Sequence, residues 1–431
     1  MDSSEKPSQT DRFNFCMQVW GSAYVELLLQ VGLPSQLAEG NLLAFPWLAN
    51  SVYEIYTTRS DERVIAASAV FKVLARTIET RFVHIDEILG DNKWPAVRYC
   101  HQEGVKSADA RDAALFFLCP DLVWPERCFA KAAHRIVEGY SAVLCPGLRT
   151  IRESLVPVLK ARFSIHEGCA MPIRNRDLVK VCLDHLHPEM RTWFWDSSDY
   201  FNCPTYILFD VDGEGVSAFC YILHPIVLKP QVKNAPFRLI FDQDYLEAAC
   251  PNAELIYIAQ DSDEAIFFEI SAKDAPVPPT PVPTKGPFDA MAWYGEWQYN
   301  EQHRRFVKRP IRIHHGQNAP DKWLLAERRG HRIVDRIQAK LRIPDRALLQ
   351  KYPENLVRRI EARYRFRPNS MSQTDQSLLV KARAKVESSR RRRQAMQRVM
   401  ELLRAKLNRN PYLLRAVRRV RGYLRQGGPV R

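Results

Sequence analysis

Asp121 closes the apolar run Ala113-Ala114-Leu115-Phe116-Phe117-Leu118-Cys119-Pro120. An Asp is costly inside a core but useful at the carboxyl end of a buried strand, where α/β sheets bind ligands. There it can hold a divalent cation that neutralises a diphosphate, or accept a hydrogen bond from a sugar hydroxyl. As a turn residue or a helix cap it would do neither. Two Asp-x-Asp triplets add paired carboxylates, Asp210-Val211-Asp212 and Asp261-Ser262-Asp263. Side chains two apart in a strand share a face, so such a pair can grip one Mg2+ or Mn2+. The first triplet runs into Gly213 and reads as an exposed hairpin turn. The second, extended by Glu264, follows Leu255-Ile256-Tyr257-Ile258-Ala259 and offers either ligands or a solvated hairpin tip.

Other polar groups sit at the ends of apolar runs. Arg149, in Cys145-Pro146-Gly147-Leu148-Arg149, can pair with phosphate or carboxylate, or with Glu153 one turn on. His224 follows Phe219-Cys220-Tyr221-Ile222-Leu223 and either touches phosphate or metal or packs as an ordinary core histidine. Trp20 and Gly21 follow a first strand, and an aromatic there can stack on a base or pack into the core. His314 and His315 are adjacent, a poor geometry for one shared metal, so a zinc site is not expected. The dinucleotide glycine fingerprint, the phosphate-binding P-loop and the GxSxG nucleophile elbow are all missing.

These groups need a scaffold, and residues 13–150 alternate strand and helix signals. Strands are expected at 13–19, 51–57, 81–85, 113–121 and 141–145, with helices at 24–31, 61–75, 95–111 and 126–138. Ser60 reads as the cap of the second helix, and Pro125 suits the first turn of the last. This alternation predicts an α/β fold on a mainly parallel sheet. Residues 151–200 read as a helical insertion, and residues 204–272 as a β-rich extension with strands at 205–209, 216–223, 255–259 and 265–270. Six prolines between Pro276 and Pro287 mark a stiff linker over 273–287. A Trp- and Arg-rich, mostly helical region at 288–370 and a basic helical tail at 371–431 follow; residues 1–12 read as disordered.

The chain has 431 residues, 46% of them hydrophobic, and a formal charge of +14. That charge is local. Residues 371–431 hold 17 Lys/Arg against Asp375, Glu387 and Glu401, which accounts for all of it; the remainder balances at 46 of each sign. In the tail, Leu413, Val417, Val420 and Leu424 form one helical stripe among arginines. A basic amphipathic helix fits an anionic membrane surface or an acidic partner, with nucleic acid ranked second. Ten cysteines without CxxC spacing suit a reducing cytosol. No apolar stretch is long enough to span a bilayer, and residues 1–12 hold no secretory-signal core. The expected location is the cytoplasm, peripheral on the inner face of the membrane.

Phe15-Cys16-Met17-Gln18-Val19-Trp20-Gly21, Leu33-Pro34-Ser35-Gln36-Leu37-Ala38-Glu39-Gly40-Asn41-Leu42, Tyr56-Thr57-Thr58 and Phe117-Leu118-Cys119-Pro120-Asp121 together resemble bacterial glycosyltransferases of the GT-A type. The resemblance covers roughly residues 13–272. It implies a Rossmann-like nucleotide-sugar fold, with Trp20, Gly21 and Tyr56 bordering the nucleotide. It implies that Asp121 meets the metal, Mg2+ or Mn2+, and the sugar diphosphate. The family's acidic motif has two acids where this chain has one, and Asp261 or Asp263 is a candidate for the second. A carboxylate among Asp261, Asp263 and Glu264 is the candidate base for an acceptor hydroxyl. The expected acceptor is a cell-surface polysaccharide or glycolipid. The competing readings are a non-catalytic scaffold on the same fold and, ranked lower, an RNA-associated protein.

Overall fold

A computed structural model describes residues 11–163, 170–198, 205–233, 243–275, 301–316 and 319–340, with residues 235, 288, 291, 292, 357, 379–388 and 391. The strands of the first half are β1 (Phe13–Gln18), β2 (Val52–Thr57), β3 (Glu79–His84), β4 (Ala114–Leu118), β5 (Leu122–Val123), β6 (Ala142–Cys145) and β7 (Gly147–Ile151). Those of the second half are β8 (Tyr206–Val211), β9 (Gly215–Cys220), β10 (His224–Leu228), β11 (Ile256–Ile258), β12 (Phe267–Ser271) and β13 (Ile311–His314). Seven form the central sheet in the order β11-β6-β10-β4-β1-β2-β3. Strands β4, β1, β2 and β3 run parallel; β10 is antiparallel to β4 and to β6, and β11 is parallel to β6. The carboxyl ends of β1, β4, β6 and β11 therefore share one edge. This is a mixed α/β fold with a mainly parallel central sheet, as the alternation of elements predicts.

Period-2 alternation splits the core between the two sheet faces. Phe13, Phe15 and Met17 join Phe116 and Phe129 on one face, with Phe15 and Phe116 stacked at 4.6 Å. Cys16 joins Leu115 and Phe117 on the other. That second face also carries a buried polar chain. Asn14 donates to Ser107, which donates to Glu54, and the Tyr56 hydroxyl donates to the same carboxylate.

Two small sheets flank the large one, β5-β12-β7 and β13-β9-β8. Strand β13 pairs with β9, so residues 301–341 belong to one compact unit with residues 1–295, across the proline-rich stretch. The other unit comprises 296–300 and 342–431. The hydrophobic stripe proposed for 413–424 lies outside the described residues. No described helix is long and apolar enough to cross a membrane. Among the described cysteines all are free, and only Cys119 is not buried.

Several local expectations shift. The helix expected over 61–75 is two, Arg59–Ala67 and Ala69–Thr77, because the extended Ser68 ends one and its hydroxyl caps Phe71 N–H of the next. Thr58 rather than Ser60 caps the first. The helix after Asp121 begins at Cys128, with Arg127 in a left-handed conformation before it, and β5 intervenes.

The segment between Asp121 and that helix is clamped from Leu33–Leu42. The Asn41 side-chain amide donates to the carbonyls of Ser35 and Pro125, and its oxygen accepts from Phe129 N–H. Ser35 Oγ accepts from Trp124 N–H, and Arg127 N–H donates to the Glu39 carbonyl. Gly32 lies so close to Pro120 that a Cβ would stand 2.7 Å from its carbonyl oxygen. Asn41 is fully buried, so Asn41→Ala leaves the Pro125 carbonyl and the Phe129 N–H without their partner, while the Ser35 carbonyl keeps the Ala38 N–H. The variant should lose roughly 2–4 kcal/mol of stability in urea titration; a loss below about 1 kcal/mol would show that the clamp contributes little.

Candidate active site

Asp121 sits three residues beyond the end of β4, in a turn with Pro120, half-buried and crowded by protein on most sides. It caps no helix, and among the described residues no other side chain donates a hydrogen bond to its carboxylate. Its backbone carbonyl accepts from Ile270 N–H at 2.8 Å, which joins the loop to β12. That pairing brings Glu269 into the neighbourhood. Burial and then the Glu269 charge push the Asp121 carboxyl up to about 7, against the weaker pull of Lys93 and Arg149. A carboxyl with that value changes charge close to neutral pH.

Arg149 lies in β7, on the far side of β12 from β5. Its Nη1 reaches Glu189 at 2.7 Å, its Nε reaches Ser271 at 2.8 Å and Glu269 at 3.2 Å. Glu153 instead pairs with its neighbour Arg152. Tyr24, 44% exposed on the helix Ser22–Leu27, lies within electrostatic reach of Asp121, Glu269, Arg149 and Arg152; burial and the two acids raise its hydroxyl pKa. Cys119, two residues before Asp121, accepts a hydrogen bond on its thiol from Gln18 at the end of β1. Burial and then Asp121 raise the thiol to about 12, so it stays protonated.

The structure thus assembles Asp121, Glu269, Arg149 and Tyr24 at one point of the sheet's carboxyl edge. Glu269 and Tyr24 escape sequence reasoning. Glu269 sits in Phe267-Phe268-Glu269-Ile270-Ser271, where a polar residue in a short strand reads as a solvent-facing position.

The other anticipated residues disperse. Trp20 is half-buried against the core. Gly21 takes a positive φ of 83°, and its N–H is held by the Asp61 carboxylate at 3.0 Å, so it serves as a helix start. Tyr56 is 1% exposed and bound to Glu54, which takes it away from any ligand surface. His224 starts β10 opposite Cys145; it donates to the Phe117 carbonyl and meets the Phe267 ring edge-on at 4.8 Å. Burial lowers it to about 4, so it is a neutral, packed histidine. Asp210 and Asp212 belong to the exposed end of the β8–β9 hairpin.

Asp261, Asp263 and Glu264 do not join Asp121. Glu264 accepts from Arg135 at 2.8 Å and from the Tyr257 hydroxyl at 2.6 Å, beside a cavity of about 290 Å³ also lined by Lys131 and His134. Arg135 neutralises it and covers the Tyr257 ring at 4.3 Å, which suits a structural tie better than a general base. Asp261 and Asp263 instead meet His314. Burial is the largest influence on Asp261 and opposes its charge, but His314, the Asp263 N–H and Arg176 together hold it below the usual carboxylate range.

No family model matches the chain, and no curated protein matches it in sequence. Among solved structures it is similar to a mannosyltransferase from Pyrobaculum calidifontis held with GDP-mannose and Mn2+, at 11% identity, 88% coverage of each chain and a TM-score of 0.27. It is also similar to a protein from Bacillus anthracis assigned as a glucose-1-phosphate thymidylyltransferase, crystallised with sucrose, at 8% identity and a TM-score of 0.21. That match takes in 32% of this chain and 55% of the other, just over half its length. Likenesses this slight carry no argument, and the fold class rests on the strand order and directions above.

Because the folded-state value of Asp121 lies above the ordinary 3.8, the native protein binds that proton more tightly than the unfolded chain. Stability from this group is present at low pH and falls as pH rises through about 4 to 7. Asp121→Asn imitates the protonated form and escapes the loss. Its Tm should match the parent near pH 4 and exceed it increasingly up to about pH 8. Parallel Tm–pH curves for the two proteins would contradict the burial assigned to this carboxyl.

Proposed function

We propose that this chain transfers a sugar from a nucleotide-activated donor to a cell-surface polysaccharide or glycolipid acceptor. The observation that carries the reading is the half-buried Asp121 beyond the central strand β4, set beside Glu269 and Arg149 with no side-chain donor among the described residues. In open α/β sheets that edge is where ligands bind.

Asp121 and Glu269 are hard oxygen donors, and two neighbouring half-buried acids fit Mg2+ or Mn2+. Such an ion would supply charge neutralisation for a diphosphate leaving group. Arg149 is held by Glu189 and Glu269, so its guanidinium is oriented before any anion arrives. Tyr24 offers an exposed ring on which a sugar or base can stack, within reach of carboxylates that accept from hydroxyls. The basic segment 371–431 would hold the protein against an anionic membrane carrying the acceptor.

Thermal shift of the full chain with UDP-, GDP- and CMP-sugars, manganese present, tests the donor. One nucleotide class should raise Tm by several degrees, as mass action requires of any ligand that binds only the folded state. Asp121→Asn and E269Q should each cut transfer or donor hydrolysis by about 10²-fold or more. Absence of a shift with every donor would overturn the proposal and favour a scaffold.

A further inference from the structure

Away from Asp121, the same edge of the sheet carries a second constellation. The chain leaving β11 runs briefly beside β13: Arg312 N–H donates to the Gln260 carbonyl at 2.9 Å, and Ser262 N–H to the Arg312 carbonyl at 2.8 Å. His314 N–H completes the ladder on Ser262 Oγ at 3.1 Å. With Ser262 facing the strand, Asp261 and Asp263 flank it, and both carboxylates meet the ring of His314. Asp261 Oδ1 is 2.8 Å and Asp263 Oδ2 is 3.6 Å from Nε2. Strands β11 and β4 are three places apart, so this group stands about 14 Å along the edge from Asp121 at ~4.8 Å per strand.

We propose that Asp261, Asp263 and His314 form a zinc site. Among the described residues they are a set of three ligand atoms within 4.8 Å of one another. Zn2+ takes nitrogen and oxygen at about 2.0–2.2 Å in a tetrahedron, which sets neighbouring ligand atoms about 3.3 Å apart. The two distances from Nε2 bracket that spacing, so both imidazole–carboxylate separations need only sub-ångström adjustment. The imidazole is a second observation, independent of the acids. Its side chain is 1% exposed, yet it turns its Nε2 into the gap between two half-exposed carboxylates. An imidazole in the set favours zinc over Mg2+ or Ca2+, which prefer oxygen alone. Three protein ligands leave a fourth position for water.

Arg176 stands where a rival cation would. Its Nη2 is 2.9 Å from Asp263 Oδ2, and its Nη1 donates to the Gly316 carbonyl at 3.2 Å. Zinc must share Asp263 with this guanidinium or displace it. It must also replace the proton on Nε2, so binding releases a proton and weakens in acid. The bound ion ties the end of the central sheet to β13, and thus to the β13-β9-β8 sheet.

The experiment titrates zinc into the chelator-treated full chain, with uptake read by competition against a zinc dye and stability read as Tm. The wild type should take up zinc at this site with a rise in Tm. H314Q and D261N should each weaken that uptake at least tenfold, while Asp121→Asn leaves it unchanged. Arg176→Gln should tighten it several-fold by freeing Asp263. His314 is buried, so D261N, at a partly exposed position, carries the test if H314Q fails to fold. No uptake by the wild type would overturn the proposal. So would equal uptake by D261N and the wild type, or a loss in Asp121→Asn, which would assign the ion to the other acids.

Discussion

The site depends on one buried amide. Asn41, from the segment before β2, satisfies two carbonyls and one N–H, and so fixes the chain that leaves β4. Without that clamp the loop carrying Asp121 would have to find partners for buried backbone groups elsewhere, at a cost comparable with a large fraction of a domain's stability. Ser35 and Gly32 extend the clamp to Trp124 and Pro120. The Leu33–Leu42 segment contributes no chemistry itself. It holds the Asp121 carboxylate where the parallel strands end.

Two acid groups on one edge then behave differently because their neighbours differ. Asp121 has burial and another acid as its strongest influences, and its proton affinity rises. Asp261 has a buried imidazole and a nearby guanidinium, and its proton affinity falls in spite of burial. The first is a carboxyl that changes charge near neutrality or yields to a cation. The second is anionic and already faces a nitrogen ligand. Arg149 stands between extremes, oriented by two acids yet close to the first site.

The sequence made much of the scaffold legible. The buried strands β1, β2 and β4 are apolar runs of strand length, and the helix Trp94–Arg111 emerges within a residue of its expected start. Less legible was β10, whose Pro225 argues against a central strand; a register shift between Pro225 and Val227 accommodates it. The proline-rich stretch reads as a boundary by composition, yet β13 beyond it completes a sheet with β9. Composition reports local stiffness, whereas strand pairing depends on what lies opposite.

What the amino-acid order determined alone was the alternation of elements, and with it an α/β layer with Asp121 at a strand's end. Local hydrophobic periodicity and backbone preference suffice for that. Only the tertiary structure decided which acids meet. Glu269 lies 148 positions after Asp121 in the chain and joins it through the pairing of β12 with β5. His314 reaches Asp261 through the ladder of β13. Such meetings depend on long-range register, which no local pattern encodes, and they separate the anticipated acids into two groups whose carboxyls shift in opposite directions.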